Sequence, residues 1–310
     1  MRVLRNLEEV GPELVGGAVA IGNFDGVHRG HAQLVHRLLH RAGRVEGPAV
    51  VFTFDPHPVQ VLRPSEAPPP LTWTERKARL LGELGVDAMI AARTDEQLLH
   101  LTPRAFFDRV LCQCLQARAV VEGPNFRFGR QRRGDVSLLD EYCLAAGIEL
   151  EIVPPLGNGG RAISSSRIRA CIQAGEVEAA MRMLTRPYRI RGMVTHGARR
   201  GSKLGFPTAN LEGVDTLLPA FGVYAGQARM GGSTWPAAIH LGPNPTFAEA
   251  GAKFEVHLIG FQGYLYGEPL EVDFWARLRD IRPFDSVEAL KSQLRRDVAA
   301  TQQIAQRLAT

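Results

Sequence analysis

The chain has 310 residues, 45% of them hydrophobic and 22% charged, and its mean hydropathy is −0.09. This composition excludes a mainly disordered protein and leaves room for more than one domain. Basic residues outnumber acidic ones by 37 to 32, giving a net charge of +5 and a pI of about 9.3. Such a basic chain raises nucleic acid as a possible partner. Because nearly all of these cations are arginines scattered along the chain, we expect no nucleic-acid binding.

Short apolar runs alternate with helix-length segments up to residue 155. The runs predicted as strands are Ala18–Ile21, Ala49–Phe54, Ala88–Ala92, Ala119–Val121 and Ile148–Val153. The segments predicted as helices are Gly30–Arg41, Thr74–Leu84, Pro103–Cys114 and Val136–Ala146. Continuous apolar strands separated by helices predict a doubly wound, Rossmann-like parallel α/β sheet. Ligands of such sheets bind beyond the carboxyl ends of the strands.

The pattern of apolar residues changes after Pro187, from continuous runs to short alternating segments. Two predicted helices, Ser164–Ala174 and Glu176–Leu184, precede this point. The segments predicted as strands beyond it are Tyr188–Thr195, Gly222–Ala228, Trp235–Leu241, Phe254–Phe261 and Glu271–Ala276. Their alternation and the Gly and Pro clusters between them predict a small antiparallel β domain, a barrel or a sandwich, followed by a helix that begins near Ser286. We therefore expect domains at residues 1–186 and 187–310.

The four cysteines, at positions 112, 114, 143 and 171, form neither a disulfide framework nor a zinc-binding spacing. We expect them to be small buried hydrophobes. No signal-peptide pattern follows Arg2 and Arg5, and no apolar run approaches the roughly 18 to 20 residues that span a bilayer. A cytoplasmic protein with no membrane partner is expected, and self-assembly is left open.

The first predicted strand runs into Gly22-x-Phe24-Asp25-Gly26-x-His28-x-Gly30-His31, after which a helix begins. Glycines let the backbone approach a bulky anion, and the free N–H groups at the helix start attract one. His28 and His31 are three residues apart and so share one side of the first turn. The arrangement suits a triphosphate, whereas the alternative is a strand-to-helix turn with incidental histidines.

Three further segments of the first domain carry polar groups at predicted strand or helix ends. Asn125 offers a donor and an acceptor after the fourth strand, beside Phe126 and Phe128, which suit packing against a planar ring. Ser164 and Ser165 open a helix that also carries Arg169, a combination able to bind phosphate. Serines at this position are otherwise helix caps. Asp55-Pro56-His57-Pro58 follows the second strand and is either a site segment or a stiff turn.

The second domain contains a glycine-rich basic loop that joins a Pro-Thr-Ala-Asn segment, from Gly197 to Asn210. Thr208 and Asn210 are two apart in an extended segment, so a hydroxyl and an amide oxygen share a face on which Mg²⁺ could bind. Taken alone, the segment is equally well a turn. Farther on, Phe254-Glu255-Val256-His257-Leu258 alternates and places Glu255 and His257 together on the polar face of a strand.

The string from Gly22 to His31 resembles the HxGH nucleotidyltransferase superfamily, and in this form the FAD synthetase module of bacterial bifunctional riboflavin kinase/FAD synthetases. The later segments are similar to those of that family in order and spacing, over nearly the whole chain. The resemblance implies two activities, phosphorylation of riboflavin to FMN and adenylylation of FMN to FAD, each using ATP with Mg²⁺. Riboflavin, FMN and ATP are then the partners, and no permanently bound cofactor is expected.

The resemblance also implies roles for individual residues. His28, His31, Asn125 and Arg169 are expected to act on the ATP phosphates and the transition state of adenylylation, and Glu255 as the general base of the kinase. The other residues expected to bind ATP are Gly22, Phe24, Asp25, Gly30, Ser164, Ser165, Gly197, Lys203, Gly205, Pro207 and Asn210. Those expected to bind flavin are Asp55, His57, Pro58, Phe126, Arg127, Phe128 and Arg279. Those expected to hold the metal are Thr208 and Asn210.

Two departures from the family pattern stand out. Ser166 occupies a position where relatives more often carry threonine, and the serine retains the hydroxyl. Ile281 stands where relatives usually carry a glutamate. The alternative functions are a different nucleotidyltransferase with a regulatory C-terminal domain, acting for instance on pantetheine or choline phosphate, and a nucleic-acid-binding protein. The Pro207–Asn210 segment and Glu255 argue against the first, because a regulatory domain needs neither.

Overall fold

The computed structural model describes residues 1–197, 200–244 and 249–309. It divides into two compact units: the first comprises Met1–Pro68 and Thr72–Ser164, and the second comprises Pro69–Leu71 and Ser165–Thr310. Helices Ser165–Gln173 and Val177–Met183 thus pack with the second unit. The functional boundary near residue 186 stays a prediction, because a packing unit need not coincide with a catalytic module.

The first unit is built on a six-stranded parallel sheet in the order β1-β4-β3-β2-β5-β6. Its strands are β1 (Arg2–Leu4), β2 (Ala18–Ile21), β3 (Ala49–Asp55), β4 (Ala88–Arg93), β5 (Ala119–Glu122) and β6 (Glu149–Ile152). Both faces are covered: Val19 and Phe52 belong to one core cluster, whereas Ala20 and Val51 belong to the other. Burial on both faces explains why the strands read as continuous apolar runs.

Helices and short turns connect these strands. The helices are α1 (Arg29–Arg44), α2 (Pro58–Leu62), α3 (Thr74–Glu83), α4 (Glu96–His100), α5 (Pro103–Phe106) and α6 (Val136–Ala146). A π-helical stretch, Phe107–Cys114, continues α5. The 3-10 turns are Leu7–Glu9, Pro12–Leu14, Pro64–Glu66 and Arg130–Arg132, and a two-stranded hairpin is formed by β7 (Gly157–Asn158) and β8 (Arg161–Ala162).

The second unit begins with α7 (Ser165–Gln173) and α8 (Val177–Met183), followed by a closed antiparallel barrel. The barrel order is β10-β13-β12-β11-β14-β9. Its strands are β9 (Tyr188–Thr195), β10 (Ala209–Glu212), β11 (Gly222–Met230), β12 (Ser233–Asn244), β13 (Glu249–Leu258) and β14 (Pro269–Arg279). The short helix α9 (Arg200–Leu204) lies between β9 and β10, and the chain ends in α10 (Val287–Ala309).

The predicted fold class is confirmed: a doubly wound parallel α/β domain precedes a small antiparallel β-barrel with a C-terminal helix. Ser286 precedes α10 as predicted, and its Oγ accepts a hydrogen bond from the Ala289 N–H at 3.1 Å. The expectation that all four cysteines are buried is wrong, because only Cys143 is buried and the others are half-buried. Among the described residues, no helix is both long and apolar enough to cross a membrane.

Candidate active sites

The first candidate site lies where β2 leads into α1. His28 is the N-cap of α1, and its Nδ1 accepts a hydrogen bond from the His31 N–H at 3.2 Å. In return, the His28 N–H donates to His31 Nδ1 at 3.3 Å. The two rings stack, with centroids 3.6 Å apart and planes 12° from parallel. The prediction that the two histidines lie on the same side of the first turn is therefore confirmed. They form a reciprocal capping box.

This capping box determines which protons the two imidazoles carry. Burial lowers the pKa of His28 to about 4, and it lowers the pKa of His31 well below its ordinary value, with the neighbouring His28 adding to the effect. Both rings are therefore neutral at pH 7. Because each Nδ1 accepts a backbone hydrogen bond, the single ring proton lies on Nε2. Two N–H donors and the start of a 16-residue helix thus converge, an arrangement suited to phosphate oxygens.

The remaining residues of the first motif shape the turn. A Cβ at Gly30 would lie 3.2 Å from the His28 ring, so glycine makes room for the stacked pair. Phe24 is 2% exposed and packs 5.1 Å from the His31 ring. Asp25 Oδ1 accepts hydrogen bonds from the N–H and hydroxyl of Thr72. In this structure Phe24 and Asp25 support the turn from within, and their predicted contact with ATP stays a prediction, as does that of Gly22.

The second motif follows β3 and lies beside the first. Asp55 Oδ2 accepts hydrogen bonds from Arg5 Nη1 at 2.6 Å and from the Thr74 hydroxyl at 2.8 Å. His57 caps α2, which starts at Pro58, and its Nε2 lies 2.9 Å from the Asn23 side-chain nitrogen. The structure therefore connects the first two motif loops directly. The flavin-binding roles of Asp55, His57 and Pro58 stay predictions.

The third motif follows β5 and places its side chains in different environments. Asn125 is exposed at the carboxyl edge of the sheet, and Arg127 is exposed and pairs with Asp135 at 3.2 Å. Phe126 is half-buried and stacks on Phe128 with ring centroids 5.5 Å apart. Phe128 is 5% exposed and belongs to the core. Of the two rings, Phe126 is thus the better placed to meet a flavin.

Sequence reasoning missed a buried carboxyl group between two of these loops. Glu122, the last residue of β5, is 2% exposed, and its Oε1 accepts a hydrogen bond from the Ile21 N–H at 2.6 Å. Burial raises its pKa well above the usual range for glutamate. Glu122 therefore ties the loop that begins at Gly22 to the loop that contains Asn125. The apolar run that it ends carried no signal of this contact.

The serine segment straddles the division between the units. Ser164 is the last residue of the first unit, and Ser165 is the first residue of α7 in the second. Within the second unit, Arg169 Nε donates a hydrogen bond to the Pro69 carbonyl at 2.9 Å. The phosphate contacts expected of Ser164, Ser165 and Arg169 stay predictions.

The second candidate site is a row of polar side chains across four barrel strands. Asn210 on β10 is the register partner of both Thr195 on β9 and Glu255 on β13, and Glu255 is in turn opposite His240 on β12. Residues in direct register share a face. Their neighbours Val194, Ala209 and Val256 are buried, so the row faces outward. Glu255 and Asn210, far apart in sequence, are brought side by side.

A tight loop positions the Pro207–Asn210 segment next to this row. A Cβ at Gly197 would overlap the side-chain amide of Asn210, so a larger residue there would force that amide to move. Gly205 adopts a φ of +87°, which also favours glycine. His257 Nδ1, on the Glu255 face of β13, donates to the Pro207 carbonyl at 2.7 Å, a contact that the sequence did not reveal. Lys203 lies in α9, and Arg199 of the basic loop lies outside the described residues.

The β14 arginine expected to bind flavin is engaged by the C-terminal helix. Arg279 Nη2 and Nε donate to Asp297 Oδ2 at 2.8 and 3.1 Å. Asp297 is 4% exposed and also accepts from Gln293 Nε2. The structure thus gives Arg279 an anchoring role on α10, and flavin binding by Arg279 stays a prediction. Ile281 packs against Gly242.

Together these features define a two-domain transferase that acts on nucleotide phosphates. The FAD synthetase family matches residues 12–167, and the riboflavin kinase family matches residues 184–305. A bifunctional riboflavin kinase/FMN adenylyltransferase of Pseudomonas fluorescens is 37% identical, with 98% of each chain covered. The Escherichia coli K12 protein of the same name is 34% identical over 96% of this chain and 95% of its own. The chain belongs to the family of bifunctional riboflavin kinase/FMN adenylyltransferases.

A solved structure supports the fold over nearly the full length. It is described as a macrolide-efflux protein from Streptococcus pneumoniae, has a TM-score of 0.85 and 31% identity, and is matched over 97% of this chain and 98% of its own. The described residues of this chain show no membrane-crossing helix.

Proposed function

We propose that the two units divide the family's reactions between them, with adenylyl transfer in the first and phosphoryl transfer in the second. The reactions are the ATP-dependent phosphorylation of riboflavin to FMN and the adenylylation of FMN to FAD with release of pyrophosphate. The observation that carries the assignment is the pairing of Glu255 with Asn210 on the barrel, in a different unit from the stacked histidines at the start of α1. We place both reactions in the cytoplasm, where ATP is available.

In the kinase site, Glu255 is the general base. It takes the proton from the ribityl 5′-hydroxyl of riboflavin while that oxygen attacks the γ-phosphorus of ATP and ADP leaves. The His240 imidazole, its cross-strand neighbour, is held by a contact between its Nε2 and the Gly242 carbonyl at 3.2 Å. Gly197, Lys203, Gly205 and Pro207 form the loop that we assign to the ATP phosphates.

The residues beside Glu255 fit a magnesium ion. Thr208 and Asn210 supply a hydroxyl and an amide oxygen, the hard neutral donors that this cation accepts. The Thr195 hydroxyl, in register with Asn210, is buried and has no hydrogen-bond partner among the described residues, which leaves one more oxygen available in the same row. Thr208 and Asn210 would hold the ion, and Mg²⁺ would neutralise charge on the transferring phosphoryl group.

In the adenylyltransferase site, the FMN phosphate attacks the α-phosphorus of ATP and pyrophosphate leaves. The neutral His28 and His31 rings donate hydrogen bonds from Nε2–H to phosphate oxygens. The dipole of the α1 N-terminus adds to this stabilisation. Asn125 is the further contact within the first unit that the family resemblance supplies. No covalent enzyme intermediate is needed, because positioning and charge stabilisation carry the reaction.

The division is tested with two variants and two matched controls in the full-length protein. Glu255→Gln should abolish FMN formation from riboflavin and preserve conversion of supplied FMN to FAD, whereas His31→Ala should do the reverse. Glu288→Gln and His36→Ala, at exposed positions on α10 and α1, should leave both reactions unchanged. Flavins are separated by chromatography after incubation with MgATP. Loss of both reactions in either active-site variant, with the protein still folded, would refute the division.

A further inference from the structure

One buried lysine in the first unit lies outside all of the motif segments. Lys77, one of four lysines in the chain, lies in α3 and is 8% exposed. Its Nζ is 3.4 Å from the Thr53 hydroxyl, a long hydrogen bond. Among the residues that the structure describes, that hydroxyl is its only side-chain partner, and it forms no ion pair.

Such an environment is costly for an ammonium group. A lysine has three N–H donors, and burying its charge without a paired anion is strongly unfavourable. Burial accordingly lowers the pKa of Lys77, although the carboxylates of Asp25 and Asp55 act in the opposite direction. An arrangement that leaves a buried cation so poorly satisfied is stabilised when an anion with several acceptor oxygens enters.

The position of Lys77 indicates where that anion comes from. Thr53 lies at the carboxyl end of β3, and its hydroxyl donates to the Asn23 carbonyl at 3.2 Å, in the loop that follows β2. This is the ligand-binding edge of a parallel sheet. The charge of Lys77 also acts on His31, whose pKa is lowered first by burial, then by His28 and then by Lys77. Through Thr53, the ammonium group therefore lies next to the Asn23 loop, which leads from β2 to the stacked histidines.

We propose that Lys77 binds a phosphate group of a substrate in the adenylyltransferase site. It supplies a full positive charge within the first unit, where His28 and His31 are neutral and act as dipolar donors. Both substrates carry the required chemistry, ATP in its triphosphate and FMN in its single phosphate. The inference rests on the proposed function of the first unit.

The test compares the full-length protein with Lys77→Met, which removes the charge and keeps an unbranched chain, and Lys77→Gln, which keeps a polar donor. Lys291→Met removes the same charge from α10 and is the matched control. KM values for ATP and FMN are measured in FMN adenylylation, together with inhibition by pyrophosphate. Riboflavin phosphorylation in the same molecules reports on the intact second unit, and the melting temperature reports on folding.

Loss of a charge-assisted hydrogen bond should raise a KM by about tenfold or more. If Lys77 binds the triphosphate, Lys77→Met raises the KM for ATP and weakens pyrophosphate inhibition, with the KM for FMN within about twofold of wild type. If it binds the flavin phosphate, the KM for FMN alone rises. Lys77→Gln should fall between wild type and Lys77→Met.

Unchanged KM values for both substrates in the two variants would overturn the proposal, whether or not kcat or the melting temperature falls, because the charge would then serve only the fold. Should Lys77→Met not fold, Lys77→Gln decides by the same KM criteria. A wild-type protein that does not adenylylate FMN at all would instead overturn the proposed function of the first unit.

Discussion

His28 and His31 show how local backbone bonding sets the chemistry of a side chain. Each imidazole accepts a backbone N–H through Nδ1, so each presents Nε2–H to a ligand. Their charges would repel at a ring separation of 3.6 Å, and burial keeps both neutral. The phosphate binding that we propose for this pair should therefore not depend on imidazole protonation near neutral pH.

The stability of the first unit should fall as the pH is lowered from 7.5 to 5.5. Burial lowers the pKa of His28 from its ordinary value of 6.5 to about 4 in the folded protein, so the unfolded chain takes up a proton first. The stabilising contribution is complete above pH 6.5 and is lost as the pH falls toward 4. At pH 5.5 this costs about 1 kcal/mol.

Calorimetric melting at the two pH values checks this prediction. His28→Gln should have a lower melting temperature at pH 7.5 and a smaller further decrease at pH 5.5. His36→Gln, an exposed position on α1, should show the wild-type decrease. An equal decrease in His28→Gln and wild type would contradict the predicted linkage.

His257 acts on the kinase loop through one hydrogen bond. Its Nδ1 donates to the Pro207 carbonyl at 2.7 Å, and its ring contacts Phe206 edge-on, with centroids 5.6 Å apart. His257→Ala should raise the KM for ATP in riboflavin phosphorylation by about three- to tenfold, because the segment before Thr208 loses its anchor. Steady-state kinetics measure this change, with FMN adenylylation as the internal control. An unaltered KM for ATP would show that Pro207 is held without His257.

At the scale of elements, the barrel site depends on the short strand β10, which the sequence indicated only as an extended segment around Thr208 and Asn210. The stretch Ala209–Glu212 has only four residues, and Asn210 is an unusual strand former. It becomes a strand because β9 and β13 pair with it on both sides. The buried strands of the parallel sheet, by contrast, were predictable from their apolar runs, since those runs reflect burial on both faces.

The site residues also divide into those that a sequence motif indicates and those that only the fold reveals. His28, His31, Thr208, Asn210 and Glu255 lie in recognisable motifs, so the sequence itself predicts roles for them. Lys77 and Glu122 gave no such signal, because each gains its surroundings from a contact with a distant part of the chain. His257 lies in the same alternating segment as Glu255, but the sequence did not predict its contact with the Pro207 carbonyl. A lysine in a polar helix looks solvent-exposed until the fold buries it.

Gly197 lies between β9 and α9, next to the Asn210 side chain. A Cβ at this position would overlap the Asn210 side-chain amide, so Gly197→Ala should displace Asn210 and lower riboflavin phosphorylation by at least about tenfold. Gly231→Ala, in the turn between β11 and β12, meets no atom within 4 Å, although it strains a glycine whose φ is +55°. Because this turn lies outside the kinase loop, the kinase should stay active. The measurement is the rate of riboflavin phosphorylation in each variant. Equal rates in Gly197→Ala and Gly231→Ala would contradict the steric argument.

The C-terminal helix α10 is held by the Arg279–Asp297 pair, in which the Asp297 side chain is 5% exposed. Asp297→Ala should destabilise the second unit by about 2 kcal/mol or more, because it leaves a half-buried guanidinium without its partner. Asp280→Ala removes an exposed partner of Arg277 and should cost less than about 1 kcal/mol. Denaturant unfolding compares the two. Equal destabilisation would show that α10 is held by apolar contacts alone.

At the scale of the whole molecule, the chain consists of two compact units, to which we assign separate chemistry. The parallel sheet presents neutral donors and a buried cation at its ligand edge, as adenylyl transfer between two phosphates requires. The barrel presents a carboxylate next to neutral oxygen donors, as activation of a hydroxyl for phosphoryl transfer requires. In the proposed division, FMN is the product of the barrel reaction and the substrate of the sheet reaction.

The time course of flavins formed from riboflavin and MgATP by the purified full-length protein tests this division of chemistry most directly. FMN should appear first and then decline as FAD and pyrophosphate accumulate, and supplied FMN should yield FAD without a lag. Accumulation of FMN with no FAD would contradict the assignment of the first unit. Adenylylation of supplied FMN with riboflavin left unconverted would contradict the assignment of the barrel.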